Sequence, residues 1–309
     1  MQRISSTAAP PELRGAVAAL GNFDGVHIGH QAVIAAARVR ASALSAPSAV
    51  IVFEPHPRQH FAPQAPPFRL QTPDQRARAI EALGVTALFE LRFDAAMAGR
   101  SAEAFAAEVL AQALGVRVVL IGEDFRFGRG RAGGAAELAR FGAELGFEVG
   151  TTDLLGFGGE KISSSQIRAA LREGRVEEAA RLLGRPFAIE GEVLHGAQRG
   201  RSIGFPTANQ ALRAYQRPAF GVYAVEARLA PGERPWPGVA NFGVKPTIGG
   251  APEPLLETHL FDFAGDLYGR AIEVSLLHFL RPERRFDSFE MLRAQIAADA
   301  AAARALLRG

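Results

Sequence analysis

The residues best suited to chemistry in this 309-residue chain gather in a few short segments. One is Gly21-Asn22-Phe23-Asp24-Gly25-Val26-His27-Ile28-Gly29-His30, which follows an apolar run and opens an Ala-rich amphipathic stretch. It sets two imidazoles three residues apart where a strand gives way to a helix. A helix N-terminus offers unpaired N–H groups and positive partial charge to an anion, above all a phosphate. Glycines let the backbone approach such a group closely. Imidazoles add donors to oxygens that gain charge in a transition state. Taken alone, either histidine reads as structural; paired as His-x-Gly-His at a strand-to-helix turn, they read as a phosphate site. The glycine spacing is not that of a dinucleotide fingerprint, and a lysine-bearing phosphate loop is absent from the sequence.

Further along, Lys161-Ile162-Ser163-Ser164-Ser165-Gln166-Ile167-Arg168 opens a helix with three hydroxyls and places an arginine in its first turn. This reads either as an N-cap cluster with a surface arginine or as a second phosphate clamp, since hydroxyls, helix amides and a guanidinium all donate to anions. In the C-terminal half, Gly200-Arg201-Ser202-Ile203-Gly204-Phe205-Pro206-Thr207-Ala208-Asn209 describes a rigid loop. From spacing alone it is a structural turn or a wrap around an anion and a hard cation. Mg²⁺ prefers oxygen ligands and keeps several waters, so a threonine hydroxyl and an asparagine amide oxygen suit it. Finally, Leu255, Glu257 and His259 alternate along a strand and share one face.

The histidine and serine–arginine motifs together resemble the nucleotidylyltransferase superfamily. Within it, Phe53-Glu54-Pro55-His56-Pro57 and Gly122-Glu123-Asp124-Phe125-Arg126-Phe127-Gly128 resemble the bifunctional riboflavin kinase/FAD synthetase family, and Gly-Phe-Pro-Thr-Ala-Asn resembles the riboflavin kinase signature. The resemblance runs from about Gly15 to Leu306 with the motifs in order, and Ser165 stands where the family often has threonine. It implies two ATP-using steps with ATP as co-substrate: riboflavin to FMN, then FMN to FAD with release of pyrophosphate. It implies that His27 and His30 hold ATP phosphates, with Asp24 as a polar anchor, and that Ser164, Ser165 and Arg168 close on the β/γ side. Phe53, Phe61 and Phe127 are expected on the flat flavin ring, with ordinary core as the alternative. Gly200, Arg201, Gly204, Phe205, Pro206, Thr207 and Asn209 are expected around the kinase ATP, Thr207 and Asn209 on Mg²⁺. Glu257 matches the family's catalytic glutamate, a base for the ribityl 5′-hydroxyl, and His259 is taken as supporting. Asn241–Thr247 and Arg281–Asp287 match family segments without assigned roles.

The elements that must position these groups fall into two patterns. Short apolar runs at Gly15–Leu20, Ala49–Phe53, Val85–Glu90, Arg117–Ile121 and Phe147–Thr151 alternate with amphipathic stretches at Gln31–Arg40, Asp74–Leu83, Ala102–Ala113 and Ala135–Leu145. Continuous apolar strands in a β-α-β rhythm predict a Rossmann-like parallel sheet with helices on both faces. Helices at Ser164–Glu173 and Val176–Leu183 follow. From Pro186 onward, strands at Ala188–Leu194, Gly221–Leu229, Gly238–Phe242, Leu255–Asp262 and Ala271–Leu280 precede one helix, Ser288–Leu307. A small antiparallel β-barrel with a terminal helix is the simplest packing. The expected domains are residues 1–184, for adenylyl transfer, and 185–309, for the kinase.

Composition narrows the class. Apolar residues make up 48% and charged residues 22%, which suits a folded chain with real cores. The absence of cysteine removes disulfides, thiolate nucleophiles and zinc–cysteine sites, and fits a reducing compartment. No apolar run reaches the roughly 18 residues of a membrane span, and Met1–Leu13 reads as a loose polar tail rather than a secretory signal. A cytoplasmic enzyme without a membrane partner is expected. The pI of about 9.8 accompanies a net charge of only +3. Lys161 and Lys245 are the only lysines, and the arginines are interspersed with acids, so nucleic acid is not an expected partner. The competing expectations are an enzyme with only one active step and a flavin-binding regulatory module.

Overall fold

The computed structural model describes residues 1–152, 161–195, 205–230, 232–244 and 254–308. In the first half, β1 (Gln2–Ile4), β2 (Val17–Leu20), β3 (Ser48–Glu54), β4 (Ala87–Arg92), β5 (Val118–Gly122) and β6 (Glu148–Thr152) form one sheet. Its order is β1-β4-β3-β2-β5-β6 and every pairing is parallel. The interleaved helices are α1 (Ile28–Ala43), α2 (Pro57–Phe61), α3 (Pro73–Ala82), α4 (Ala95–Gly99), α5 (Ala102–Ala104, running into a π-helical segment Phe105–Leu114) and α6 (Ala135–Leu145).

Both faces of this sheet are dry, which explains its continuous apolar strands. Val17, Ala19, Val50 and Val52 point to one face and pack with Val33 and Ile34 of α1 and Ile80 of α3. Ala18, Leu20, Ile51 and Phe53 point to the other and pack with Phe105, Val109, Leu110, Leu138 and Phe141. Side chains alternate across a strand, so a run without polar residues must be covered twice. The expected loose tail is instead an edge strand: Gln2–Ile4 pairs with Ala87–Phe89. The N-terminal ammonium meets Glu81 at 3.1 Å, and Arg3 bridges Asp74 and Glu90.

In the second half, β7 (Phe187–Glu192), β8 (Ala208–Ala211), β9 (Gly221–Arg228), β10 (Trp236–Val244), β11 (Pro254–Leu260) and β12 (Ala271–Pro282) are ordered β7-β12-β9-β10-β11-β8, all antiparallel. The two edge strands almost meet, since Leu194 N donates to Asn209 O at 2.8 Å. The buried Gln210 amide spans the interior, donating to Gly191 O and Ile272 O, each at 2.9 Å. This is the expected small barrel, nearly closed. Helices α7 (Ser164–Arg172) and α8 (Val176–Leu183) precede it and α9 (Phe289–Leu306) ends the chain. Ala300 and Ala303 of α9 pack over Val222, Ala224, Val239 and Phe261.

By contact the chain divides into two compact units, residues 1–66 with 73–163, and residues 67–72 with 164–309. Within the second unit, Arg69 N donates to Ala214 O and Gln216 N to Arg69 O, a strand-like clasp. Tyr215 inside this clasp accepts from Glu190 N, and burial pushes its phenol well above the usual range.

Arg281 at the end of β12 forks onto Asp299 of α9, with Nε–Oδ1 at 2.9 Å and Nη2–Oδ2 at 2.7 Å, and Gln295 adds a bond to the same carboxylate. Both partners are nearly buried. Removing one member of such a pair strands a charge in a poorly solvated place. Asp299→Ala is therefore expected to lower stability by about 3 kcal/mol, read as a shift of the urea midpoint.

Candidate functional sites

In the parallel sheet the connections reverse direction at β2, which has β3 on one side and β5 on the other. Open α/β sheets bind ligands at the carboxyl ends of the strands beside such a reversal. The loop leaving β2 is Gly21–His27, the first motif of the sequence. Phe23, Gly25 and Val26 all have positive φ (49°, 90° and 39°), a conformation costly for phenylalanine and more so for β-branched valine. Bonds from Gly21 N to Ile51 O (3.1 Å), Val26 N to Phe23 O (3.1 Å) and Gln31 Nε2 to Val26 O (2.9 Å) hold it there.

The outcome is that His27 caps α1, its Nδ1 accepting from His30 N at 3.3 Å. An accepting Nδ1 carries no proton, which leaves Nε2 as the donor of a neutral ring. The two imidazoles stack with centroids 3.5 Å apart, and Phe23 meets His30 edge-on at 5.1 Å. His27 and Asp24 are buried, and His30 is partly exposed. The loop thus gathers Asp24, His27 and His30 at the mouth of a 16-residue helix.

The expected flavin phenylalanines separate. Phe53 and Phe127 belong to the core beneath, packing on Phe105 at 6.0 and 5.8 Å. Phe61 is 68% exposed and joins His60 and Phe93 in an aromatic cluster, with ring distances of 5.2 and 5.8 Å. Its helix α2 is capped by His56, whose Nδ1 accepts from Arg58 N, so the Phe-Glu-Pro-His-Pro motif serves to launch it. Ser164, Ser165 and Arg168 sit in the first turns of α7, which clusters with the second unit. Arg168 Nε donates to Phe68 O at 2.8 Å and its guanidinium lies 5.4 Å from the Phe68 ring.

In the barrel, Gly200, Arg201 and Gly204 lie outside the described residues. Phe205 packs edge-on to His259 at 5.2 Å, and His259 Nδ1 bonds Pro206 O at 2.9 Å. A carbonyl only accepts, so His259 donates there and fixes the chain just before Thr207. Asn209 of β8, Glu257 of β11 and Asn241 of β10 stand in register across three neighbouring strands. Directly paired residues share a face, so the carboxylate is flanked by an amide on each side. Asn241, to which sequence reasoning gave no role, also donates to Glu283 at 3.4 Å. Only its strand register could have singled it out.

Thr258, next to Glu257 on β11, lines a pocket with Pro206, Thr207, Phe263, Leu267 and Tyr268. Its hydroxyl is buried without a hydrogen-bond partner among the described residues. An unmet buried hydroxyl costs about 1–3 kcal/mol. Thr258→Val is accordingly expected to leave the ligand-free protein as stable or stabler, by up to about 1 kcal/mol, in chemical denaturation.

Known proteins resemble this chain over almost its whole length. The FAD synthetase family model matches residues 9–166 and the riboflavin kinase model residues 183–307. A bifunctional riboflavin kinase/FMN adenylyltransferase of Pseudomonas fluorescens is 46% identical, over 96% of this chain and 94% of that protein. Its namesake in Escherichia coli K12 is 44% identical over 96% and 93%. A Streptococcus pneumoniae crystal structure described as a macrolide-efflux protein matches with a TM-score of 0.85 and 32% identity, covering 98% of each chain. That name concerns that protein; among the described residues here, no helix is long and apolar enough to cross a membrane. Two family models in tandem, on a parallel sheet and a barrel that each present a motif-bearing loop, place this chain in the bifunctional riboflavin kinase/FMN adenylyltransferase family.

Proposed function

We propose that the chain makes both flavin coenzymes, phosphorylating riboflavin to FMN in the barrel and adenylylating FMN to FAD on the parallel sheet. The observation that carries this reading is the presence of two sites, the stacked His27/His30 pair at the start of α1 and the Asn209–Glu257–Asn241 row. Each lies in the segment matched by its own family model. We keep residues 1–184 and 185–309 as the functional division.

In the kinase step, the ribityl 5′-hydroxyl attacks the γ-phosphorus of ATP, the bond to the bridging β,γ oxygen breaks, and ADP leaves. Glu257 takes the hydroxyl proton; a carboxylate held at hydrogen-bond distance is adequate for this. Asn209 and Asn241 stand beside it in register on the neighbouring strands. The Thr207 hydroxyl and the Asn209 amide oxygen are hard neutral donors of the kind Mg²⁺ prefers, and they would hold such an ion beside the ATP phosphates. Such an ion supplies charge neutralisation at the β- and γ-phosphates. Gly200, Arg201, Gly204, Phe205 and Pro206 complete the ATP loop in this reading.

In the adenylyl step, an FMN phosphate oxygen attacks the α-phosphorus of ATP, the α,β bridge breaks and pyrophosphate leaves. The work is positioning and charge neutralisation. His27 donates from Nε2, the α1 amides add their dipole, and His30 stands over His27; Ser164, Ser165 and Arg168 serve the β/γ end, with Asp24 as anchor. Of the three phenylalanines, Phe61 is the one whose exposure supports stacking on the flavin; Phe53 and Phe127 act from below, through the packing that supports Phe93 and Phe125. The protein works in the cytoplasm on small molecules: riboflavin, FMN, FAD and ATP.

The two activities separate by mutation. With riboflavin, ATP and Mg²⁺, chromatography of wild-type reactions is expected to show FMN rising first and FAD after it; FMN as the sole end product would remove the adenylyl claim. Replacing His27 and His30 by alanine is expected to lower FAD formation about 10³-fold while FMN accumulates. Glu257→Ala is expected to lower riboflavin phosphorylation at least about 10²-fold, with riboflavin binding and conversion of supplied FMN to FAD unchanged; normal phosphorylation in that variant would refute the base.

A further inference from the structure

We infer that Arg76 is the positioning residue of the adenylyl-transfer loop. This extends the reading above and depends on it. Arg76 lies on α3, in a stretch whose composition suggests a solvent-facing arginine, yet its side chain is only 2% exposed, the largest of the fully buried side chains among the described residues. Arginine is rarely buried unless its charge and donors are matched.

The matching explains the burial. Nη2 donates to Glu54 Oε2 at 3.0 Å and lies 3.6 Å from Glu90 Oε1, while Nη1 donates to the backbone oxygen of Asn22 at 3.3 Å. Glu54 is the last residue of β3 and Glu90 is within β4. One rigid guanidinium therefore ties two strands to the loop that leaves β2. A lysine, with one point charge, could not fork between the carboxylate and the Asn22 carbonyl.

Asn22 is where a tie has most leverage. Its carbonyl immediately precedes Phe23, the first left-handed residue, and the loop must then hold Gly25 and Val26 at positive φ to deliver His27 to the cap of α1. Residues held in such conformations persist only when their surroundings over-determine them. Gly21 N and Val26 O anchor the two ends of the turn, and Arg76 anchors its corner. The residue acts through the Asn22 backbone; a displacement of about 1 Å there is enough to cost about 100-fold in rate.

The second activity of the same chain supplies the control. Full-length Arg76→Met, Arg76→Lys and Glu90→Gln are assayed separately for FMN-to-FAD and riboflavin-to-FMN conversion, with thermal unfolding alongside. Arg76→Met is expected to lower kcat for FAD formation about 100-fold, with KM for ATP and FMN within about threefold and riboflavin phosphorylation within about twofold. Arg76→Lys recovers part of the loss. Glu90→Gln, which weakens the ion network but spares the Asn22 bond, lowers Tm yet keeps the kcat of FAD formation within about threefold. Wild-type kcat in Arg76→Met overturns the inference, as does equal kcat loss in Glu90→Gln, or loss of both activities together. Should Arg76→Met not fold, Arg76→Lys carries the test: wild-type kcat there overturns it. A wild-type protein that makes no FAD from FMN defeats the underlying reading, whereas active wild type with an indifferent Arg76 defeats this inference alone.

Discussion

A phosphate approached by protein needs several donors converging from one side, and the cheapest dense source is the mouth of a helix. In the parallel sheet this requirement constrains the chain between β2 and α1. It must leave a buried strand, turn, and arrive at Ile28 with the imidazole of His27 already over the free amides. Three positive-φ residues achieve the turn, and anchors to β3, α1 and α3 stop it from relaxing. The strand order, with its reversal at β2, puts that turn at the carboxyl edge where open α/β sheets bind ligands. Sheet topology, loop strain and imidazole geometry are thus consequences of one demand.

The barrel solves a comparable problem by register. Because paired residues share a face, aligning Asn209, Glu257 and Asn241 requires only that β8, β11 and β10 pair as they do. A slip of one residue would turn Glu257 into the interior and Thr258 out. The interior Gln210 amide, bonded to Gly191 on β7 and Ile272 on β12, resists such a slip by fixing β8 against the opposite edge. Arg281 and Asp299 then fasten the terminal helix over the outer face.

Much of this was legible in the chain. Continuous apolar runs separated by amphipathic stretches announced a two-faced parallel sheet, and the motif order announced two sites. What escaped was set by tertiary context. Gln2–Ile4 is too short to carry a pattern and becomes a strand only because Ala87–Phe89 offers a partner. Ala208–Ala211, embedded in a turn motif, is likewise a strand only in company. Arg76 sits one helical turn before Ile80, on the core-facing side of α3, where its charge argues against burial; only the carboxylates brought in from β3 and β4 make it tolerable. Phe53 and Phe61 are eight positions apart in one motif region, yet the first lies within a buried strand and the second ends an exposed helix.

The clasp at Arg69–Tyr215 bears on how such a protein can be taken apart. The barrel's unit includes Pro67–Thr72, a stretch borrowed from far upstream, along with α7 and α8, where Gly174 approaches Phe279 and Glu177 meets His278 at 2.9 Å. The boundary proposed between the two activities therefore differs from the boundary between the two compact units. A gene cut between positions 184 and 185 would part the barrel strands from α7, α8 and Pro67–Thr72, so moving that whole unit by recombination demands more than one crossover.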